Sequence, residues 1–304
     1  MEPGGRRERV TVESGAVPVV SVIIPVRNEV AYLGDQLAAM AAQDFDAPWE
    51  VIVVDNGSTD GSPDVVRDFQ TRMPNLRLDL APTAKGEGEA RNRGVARSRG
   101  SMLAFVDGDD VADSGWLAAI VDALRHHDVV TGHNDLVRLN APDVRSSSET
   151  IRRARRVGDV PVVAGGNCGV RRAAWEALGG QTDELGIADD VDFGIRAHAA
   201  GMTAQYVDDA IVYRRLPDTA VGVFRQHRGY GRAQVLIRDR HASIVGRGTM
   251  GRAMVRDAAF VVLRAPWMFN RAKRFRYAMV AGRFVGRATA FLQPGARARA
   301  RGNS

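Results

Sequence analysis

The chain has 304 residues, 45% of them hydrophobic, enough to bury a sizeable core, and a net charge of +6 from 42 basic and 36 acidic side chains. A single cysteine, Cys168, excludes an internal disulfide framework, and the polar, charged run at 1–15 has no secretory signal, so a cytoplasmic setting is expected. The charge is uneven: residues 221–304 carry 18 Arg and Lys against two acids, Asp239 and Asp257, a balance of +16, which leaves −10 for the other 220 residues.

The elements follow in chain order. Residues 19–26 form a nearly continuous apolar, β-branched run, the pattern of a strand buried on both faces. Leu33, Leu37 and Met40, spaced by four and three, predict a helix over 29–43. A strand over 50–55 ends in a polar turn at 56–62, and a helix over 63–72 leads to a strand over 76–80. A helix over 87–99 then feeds a strand that starts at Met102 and ends at Asp107. Such alternation predicts an α/β fold with a parallel sheet, right-handed crossovers and a ligand crevice at the carboxyl ends of the strands. Arg27, Asp55 and Asp107 all fall at those ends.

The last of these strands runs into Asp107-Gly108-Asp109-Asp110. Carboxylates so close repel one another unless a cation lies among them, and ligands that are all oxygen suit a hard divalent ion such as Mg²⁺ or Mn²⁺, which in turn faces phosphate. An acidic turn built on Asp-Gly is the alternative reading. A dinucleotide-binding fold matches poorly: Arg27-Asn28-Glu29 stands where a glycine fingerprint belongs, Gly86-Glu87-Gly88 lacks the third glycine, and no Walker A run occurs.

Four segments, Pro25-Val26-Arg27-Asn28-Glu29, Val54-Asp55-Asn56-Gly57-Ser58, Ala90-Arg91-Asn92-Arg93-Gly94 and Val106-Asp107-Gly108-Asp109-Asp110, have the order and spacing of the family 2 glycosyltransferases. A fifth block, from Gly165-Gly166-Asn167 to Asp189-Asp190-Val191-Asp192, is similar to the acceptor-side half of that family, and the resemblance covers residues 18–215. It implies a GT-A fold, a mostly parallel sheet flanked by helices, with a nucleotide-sugar half at 18–110 and an acceptor half at 111–215. A polar tail at 1–17 and a basic helical region at 216–304 flank it. The implied activity is inverting, metal-dependent transfer of a sugar from a nucleoside-diphosphate sugar to an acceptor hydroxyl on a glycan, a lipid-linked carrier or a small molecule.

By the same resemblance Asp109 is the direct metal ligand, Asp107 contacts ribose or metal, and Asp110 assists. Asp55 with Asn56 meets the base, while Pro25, Arg27 and Glu29 line the nucleotide. Lys85 and Arg91 are candidates for the phosphates, although a lone lysine in an arginine-rich chain also fits compositional drift. Asp190 takes the place of the general base, and Asp189 stands where the family usually has Glu. Alternatively, Asp189 caps a helix over 191–200 whose positive end favours Asp190 and Asp192. Asn167 is a candidate for contact with the donor sugar, and the glycines before it alternatively serve only a turn.

The basic region predicts helices over 218–240, 250–263 and 271–292, and its longest apolar run, 258–263, is six residues, far short of the roughly 20 needed to span a bilayer. Three readings compete: a helical cap with a solvated arginine face, docking on the anionic inner face of the cell membrane through Phe260, Trp267, Met268, Phe269, Phe284 and Phe291, or nucleic-acid binding, which is not expected because no binding motif accompanies the charge. Gln226-His227-Arg228 departs from the Gln-x-x-Arg-Trp pattern of processive synthases, and His227 is either a third metal ligand or incidental. Residues 140–158 read as a mobile loop near the acceptor side. Two other functions remain open: a nucleotidyltransferase, which wants a glycine-rich basic loop after the first strand, and a non-catalytic nucleotide-sugar-binding protein, which would lack the carboxylates present here.

Overall fold

In the computed structural model the described residues are 16–84, 86–145, 156–157, 160–161, 163–182, 185–245, 250–270 and 273–293. Lys85, nearly all of the 1–17 tail, much of the 140–158 loop and Arg271 lie outside them.

The first half alternates as expected: β1 (Val20–Val26), α1 (Leu33–Ala41), β2 (Trp49–Asp55), α2 (Ser62–Gln70), β3 (Leu76–Leu80), α3 (Glu87–Arg97) and β4 (Met102–Val106). The second half adds β5 (Val111–Ala112), α4 (Trp116–Leu124), β6 (Val129–Asp135), α5 (Pro142–Arg145), the pair β7 (Arg156–Val157) and β8 (Val160–Pro161), β9 (Asn167–Arg171), α6 (Arg172–Ala177), α7 (Asp189–Ala199) and β10 (Ala204–Tyr213). The basic region follows as α8 (Ala220–Arg240), α9 (Ala242–Val245), α10 (Met250–Leu263), a 3₁₀ turn (Ala265–Phe269) and α11 (Arg274–Phe291).

An eight-stranded sheet, ordered β3-β2-β1-β4-β9-β6-β10-β5, forms the centre. β1 pairs in parallel with β2 and β4, with Val26 opposite Asp55, so the polar ends of these strands meet at one edge of the sheet. The sheet is mixed where the alternation alone suggested a parallel one: β9 is antiparallel to β4 and β6, and β5 to β10. The cause is connectivity. Instead of a crossover helix, the chain reaches β9 from the carboxyl end of β6, enters the sheet with Asn167 opposite Val106, and runs back. That entry puts Gly165 and Gly166 beside the end of β4.

One face of the sheet buries Leu33, Leu37 and Met40 of α1, Val66 and Phe69 of α2, and Trp116, Ile120 and Leu124 of α4. The other buries Ala90 and Val95 of α3 and stacks Trp175 of α6 between Phe105 and Phe193, at 4.9 and 5.0 Å. Each large apolar side chain so enclosed stabilises the fold by roughly 1.5–3 kcal/mol.

In the basic region α8 and α11 approach backbone to backbone. A Cβ on Gly286 would lie 2.0 Å from the Arg228 carbonyl oxygen and one on Gly282 2.4 Å from that of Phe224, so only glycine permits this crossing. Asp257 of α10, buried, accepts from Arg287 at 2.8 Å and Arg283 at 3.3 Å of α11. A second buried carboxylate ties this region to α7: Asp192 accepts from Arg196 at 2.7 Å, lies 2.8 Å from His241 Nε2 and 3.5 Å from Arg240.

Candidate active site

A cavity of about 930 Å³ opens at the carboxyl ends of β1, β2 and β4. Pro25, Arg27, Glu29, Asn56, Asp107 and Asp109 line one part of it, and Arg91, Gly165, Gly166 and Asp190 another. Most of the residues picked out by the sequence thus share one space. Asp55 does not line it: the residue is buried at the end of β2, next to Asn56, with Oδ2 accepting from the Ser58 amide at 3.2 Å. Its Oδ1 and the Oδ1 of Asn56 are buried without a hydrogen-bond partner, an expense a folded chain rarely leaves uncompensated unless a ligand donor meets it.

The loop after β1 is shaped by Asn28, which takes a left-handed φ of 58°, tolerated by Asn better than by most residues. Its Oδ1 accepts from the Thr59 amide at 2.8 Å. The amides of Asn28, Glu29 and Val30 donate to Ser58 Oγ, Ser62 Oγ and Asp60 Oδ2 at 2.9–3.0 Å. Those bonds tie the residues after β1 to the loop after β2, and the chain turns over Glu29–Tyr32 before regular helix starts at Leu33. The predicted helix over 29–43 is therefore shorter, and Arg27 and Glu29 sit on a fixed turn.

Asp107 Oδ1 accepts from Arg91 Nη2 at 2.8 Å, and the same nitrogen reaches Glu87 Oε2 at 3.1 Å. Burial works against the Arg91 cation, but Asp107 and Glu87 outweigh it and keep the group charged. Asp107, Asp109 and Asp110 each offer an oxygen within 4.8 Å of the others. Burial, reinforced by Asp107, pushes Asp109 up to about 6. Burial raises Asp110 well above the usual carboxylate range, and its Oδ1 accepts from the Arg215 amide at 2.8 Å. Glu29 is half-buried, and burial together with Asp109 and Asp107 pushes it up to about 9. Crowded carboxylates with raised proton affinity form an oxygen-only site that a hard divalent ion would relieve.

Asp190, at the first turn of α7, lines the cavity with Oδ2 accepting from the Gly165 amide at 2.8 Å. Burial raises its carboxyl above the ordinary range, the direction that suits a proton acceptor working near neutrality. A Cβ on Gly166 would lie 2.1 Å from Asp107 Oδ2, so glycine is needed for β9 to start against the acidic cluster.

Several expectations change. Asn167 does not face the cavity: it is fully buried, taking a hydrogen bond from Trp116 Nε1 at 2.9 Å and donating to the carbonyls of His133 and Ala210. Asp189 is buried, accepts from the Leu185 amide at 3.2 Å and lies against Gly88. His227 is not among the groups gathered at the acidic cluster, and its ring packs edge-on against Tyr230. Arg214, absent from the sequence expectations, lines the cavity; burial opposes its charge, and Tyr230, Asp110, Asp107 and Asp109 outweigh that burial. It follows the last residue of β10, and no spacing in the chain links it to residues a hundred positions earlier.

A mixed sheet flanked by helices, with a cluster of aspartates at its carboxyl edge, is the GT-A class of fold. The chain belongs to glycosyl transferase family 2, whose model matches residues 21–179, and a model for glycosyl transferase family group 2 matches 102–281; it is a glycosyltransferase. It is 31% identical over 234 residues to the glycosyltransferase AglE of Haloferax volcanii, covering 75% of this chain and 77% of that one. An N-acetylglucosaminyltransferase of Rhizobium meliloti is 29% identical over 242 residues, covering 73% of this chain and 57% of the relative. Among solved structures, the mannosyltransferase PcManGT of Pyrobaculum calidifontis, in complex with GDP-Man and Mn²⁺, aligns with a TM-score of 0.62 at 19% identity over 91% of this chain and 88% of that one. TarS of S. aureus in complex with UDP aligns at 0.53 and 19%, covering 90% and 91%.

Proposed function

We propose that the protein is an inverting glycosyltransferase that moves a sugar from a nucleoside-diphosphate sugar to an acceptor hydroxyl, with the nucleotide held by residues 18–110 and the acceptor by residues 111–215. The observation that carries this reading is the meeting, in one cavity, of an acidic oxygen cluster with a separate carboxyl of raised proton affinity, Asp190. Asn56 lines the cavity with its Oδ1 unpaired, and it is the residue placed to meet N–H donors of a base, with Asp55 buried beside it. Pro25, Arg27 and Glu29 line the nucleotide, and Arg91 holds Asp107 in place.

Asp107 and Asp109 would hold a divalent ion, Mg²⁺ or Mn²⁺, with Asp110 as a buried support. Bound there, the ion supplies positive charge to the diphosphate while its bond to the sugar breaks. The acceptor oxygen attacks the anomeric carbon, the carbon–oxygen bond to the β-phosphate breaks, the nucleoside diphosphate leaves, and Asp190 takes the hydroxyl proton. A single displacement inverts the anomeric centre. The acceptor is the hydroxyl of a glycan, a lipid-linked carrier or a small molecule.

Membership of the family speaks against a nucleotidyltransferase, and the complete carboxylate set against a non-catalytic binding protein. GDP-Man with Mn²⁺ in the Pyrobaculum enzyme and UDP in TarS support a sugar-nucleotide donor without choosing between guanine and uracil. Nucleoside diphosphate release measured over a panel of UDP-, GDP- and dTDP-sugars, with Mg²⁺ or Mn²⁺ and with EDTA, tests the reading. One donor turning over with metal is the expected result; no release or binding of any donor would overturn it.

A further inference from the structure

α10 and the 3₁₀ turn after it present two different faces. Inward, Phe260 and Val261 pack on Val144, Val223, Phe275 and Met279, and Val144 also lines the cavity. Outward, Val262 and Leu263 are each 74% exposed, Met268 51% and Phe269 84%. Two large apolar side chains at the end of α10 and two on the 3₁₀ turn that follows it are thus left to water, which does not favour them.

The surroundings are basic. Arg252, Arg256, Arg264, Lys273 and Arg276 are exposed, and Asp257, the one acid of residues 250–293, is buried against Arg287. Trp267 sits between the two characters, with Arg264 and Lys273 over its ring at 5.0 and 5.1 Å. An amphipathic ring flanked by cations is the side chain found at the headgroup level of bilayers. No helix among the described residues is long and apolar enough to cross a membrane.

We propose that this tip, α10 with the 3₁₀ turn, docks on an anionic lipid bilayer, with Val262, Leu263, Met268 and Phe269 in the acyl boundary and the arginines among the headgroups. Resting on the transferase reading, the docking selects a lipid-linked acceptor, because a single packed cluster separates the docked face from the cavity wall at Val144. A second copy docked face to face is a poorer occupant, since the patch would meet its own positive charge. A nucleic acid offers the four apolar side chains little to bury against.

Co-sedimentation of the full chain with phosphatidylcholine vesicles, with and without phosphatidylglycerol, tests this. Phosphatidylglycerol vesicles are expected to carry the protein down at low salt and release it as salt rises. Leu263→Ser with Phe269→Ser should lower that partition at least about tenfold, from the lost apolar burial alone. Arg252→Glu with Arg256→Glu should abolish the preference for the anionic lipid. All four side chains are exposed, so unchanged melting of both variants reads out their folding. Equal sedimentation with and without phosphatidylglycerol, or a serine variant that sediments like the parent, would overturn the proposal. A concentration-dependent dimer that the serine variant abolishes, with no vesicle binding, would overturn it in favour of self-association. The vesicle assay uses neither donor nor acceptor, so its failure leaves the transferase reading standing, and a failed transfer assay leaves the vesicle result standing.

Discussion

Gly166→Ala is a one-methyl test of how tightly the site is built. The added carbon would lie 2.1 Å from Oδ2 and 2.6 Å from Cγ of Asp107, whereas non-bonded carbons settle at about 3.5–4.0 Å. The Asp107 carboxylate must therefore retreat by about 1 Å or more, and it cannot do so without loosening its 2.8 Å bond to Arg91. Position 166 has no positive φ, so alanine meets no backbone penalty there. What moves is the end of a side chain, which keeps the change in melting temperature under about 4 °C. A misplacement of about 1 Å in a reacting site is worth on the order of 10²-fold in rate, and kcat for donor turnover is expected to fall by that factor. Nucleoside diphosphate release, alongside thermal melting, is the assay. Gly34→Ala, with nothing within 4 Å of the new carbon, is the control: kcat should stay that of the parent and melting should not fall, because alanine favours the helix over glycine. A Gly166→Ala protein with more than half the parent kcat would refute the close fit of β9 against the acidic cluster.

Asp109→Ala should lower nucleoside diphosphate affinity in Mn²⁺ to the level the parent shows in EDTA; equal affinity of the parent with and without metal, by calorimetry, would contradict the metal site. Because Asp190 must be ionised to accept a proton and burial raises its carboxyl, kcat should fall as pH drops through a value above the ordinary carboxylate range; a pH–rate profile flat down to pH of about 4 would contradict it. Burial alone would raise Asp192, but the His241 hydrogen bond, Arg196 and Arg240 outweigh it and hold the carboxyl below its ordinary range. Its stability contribution is therefore present above the unfolded pKa of about 3.9 and lost as pH falls through the lower folded value. Asp192→Ala should cost about 3–5 kcal/mol in urea unfolding at pH 7, by removing the buried carboxylate that Arg196, Arg240 and His241 face, and less at acid pH; an equal loss at both would contradict the linkage.

The first half of the fold was legible because β1 and β2 are long β-branched runs and helical periods separate its strands. Strands β6 and β10 carry no such signal: β6 holds Gly132, His133 and Asn134, and β10 shifts register between Val207 and Ile211, around Asp208 and Asp209. The acidic cluster was legible as like charges crowded at a strand end, Arg91 and Asp190 only through the family resemblance, and all of them line one cavity or its wall. Asn167 was misread for a geometric reason. It adjoins Gly166, which touches Asp107, but successive residues of an extended chain point to opposite sides, and its amide goes into the core. Helix α7 divides Asp189 from Asp190 in a similar way, one carboxylate buried against Gly88 and the other in the cavity. Asn28 and Arg214 gain their roles only from loops and strands brought together by the fold.

The assignment of Asp190 is tested most directly by Asp190→Asn, with kcat and donor Kd measured on the same preparation. Asparagine keeps an oxygen for the Gly165 amide, gives up only the acceptor that meets the adjacent Val191 amide, and cannot take a proton. General-base catalysis is typically worth about 10²–10⁴-fold, so kcat is expected to collapse within that range while donor Kd stays that of the parent. A variant retaining more than about a tenth of the parent kcat would show that the acceptor proton goes elsewhere.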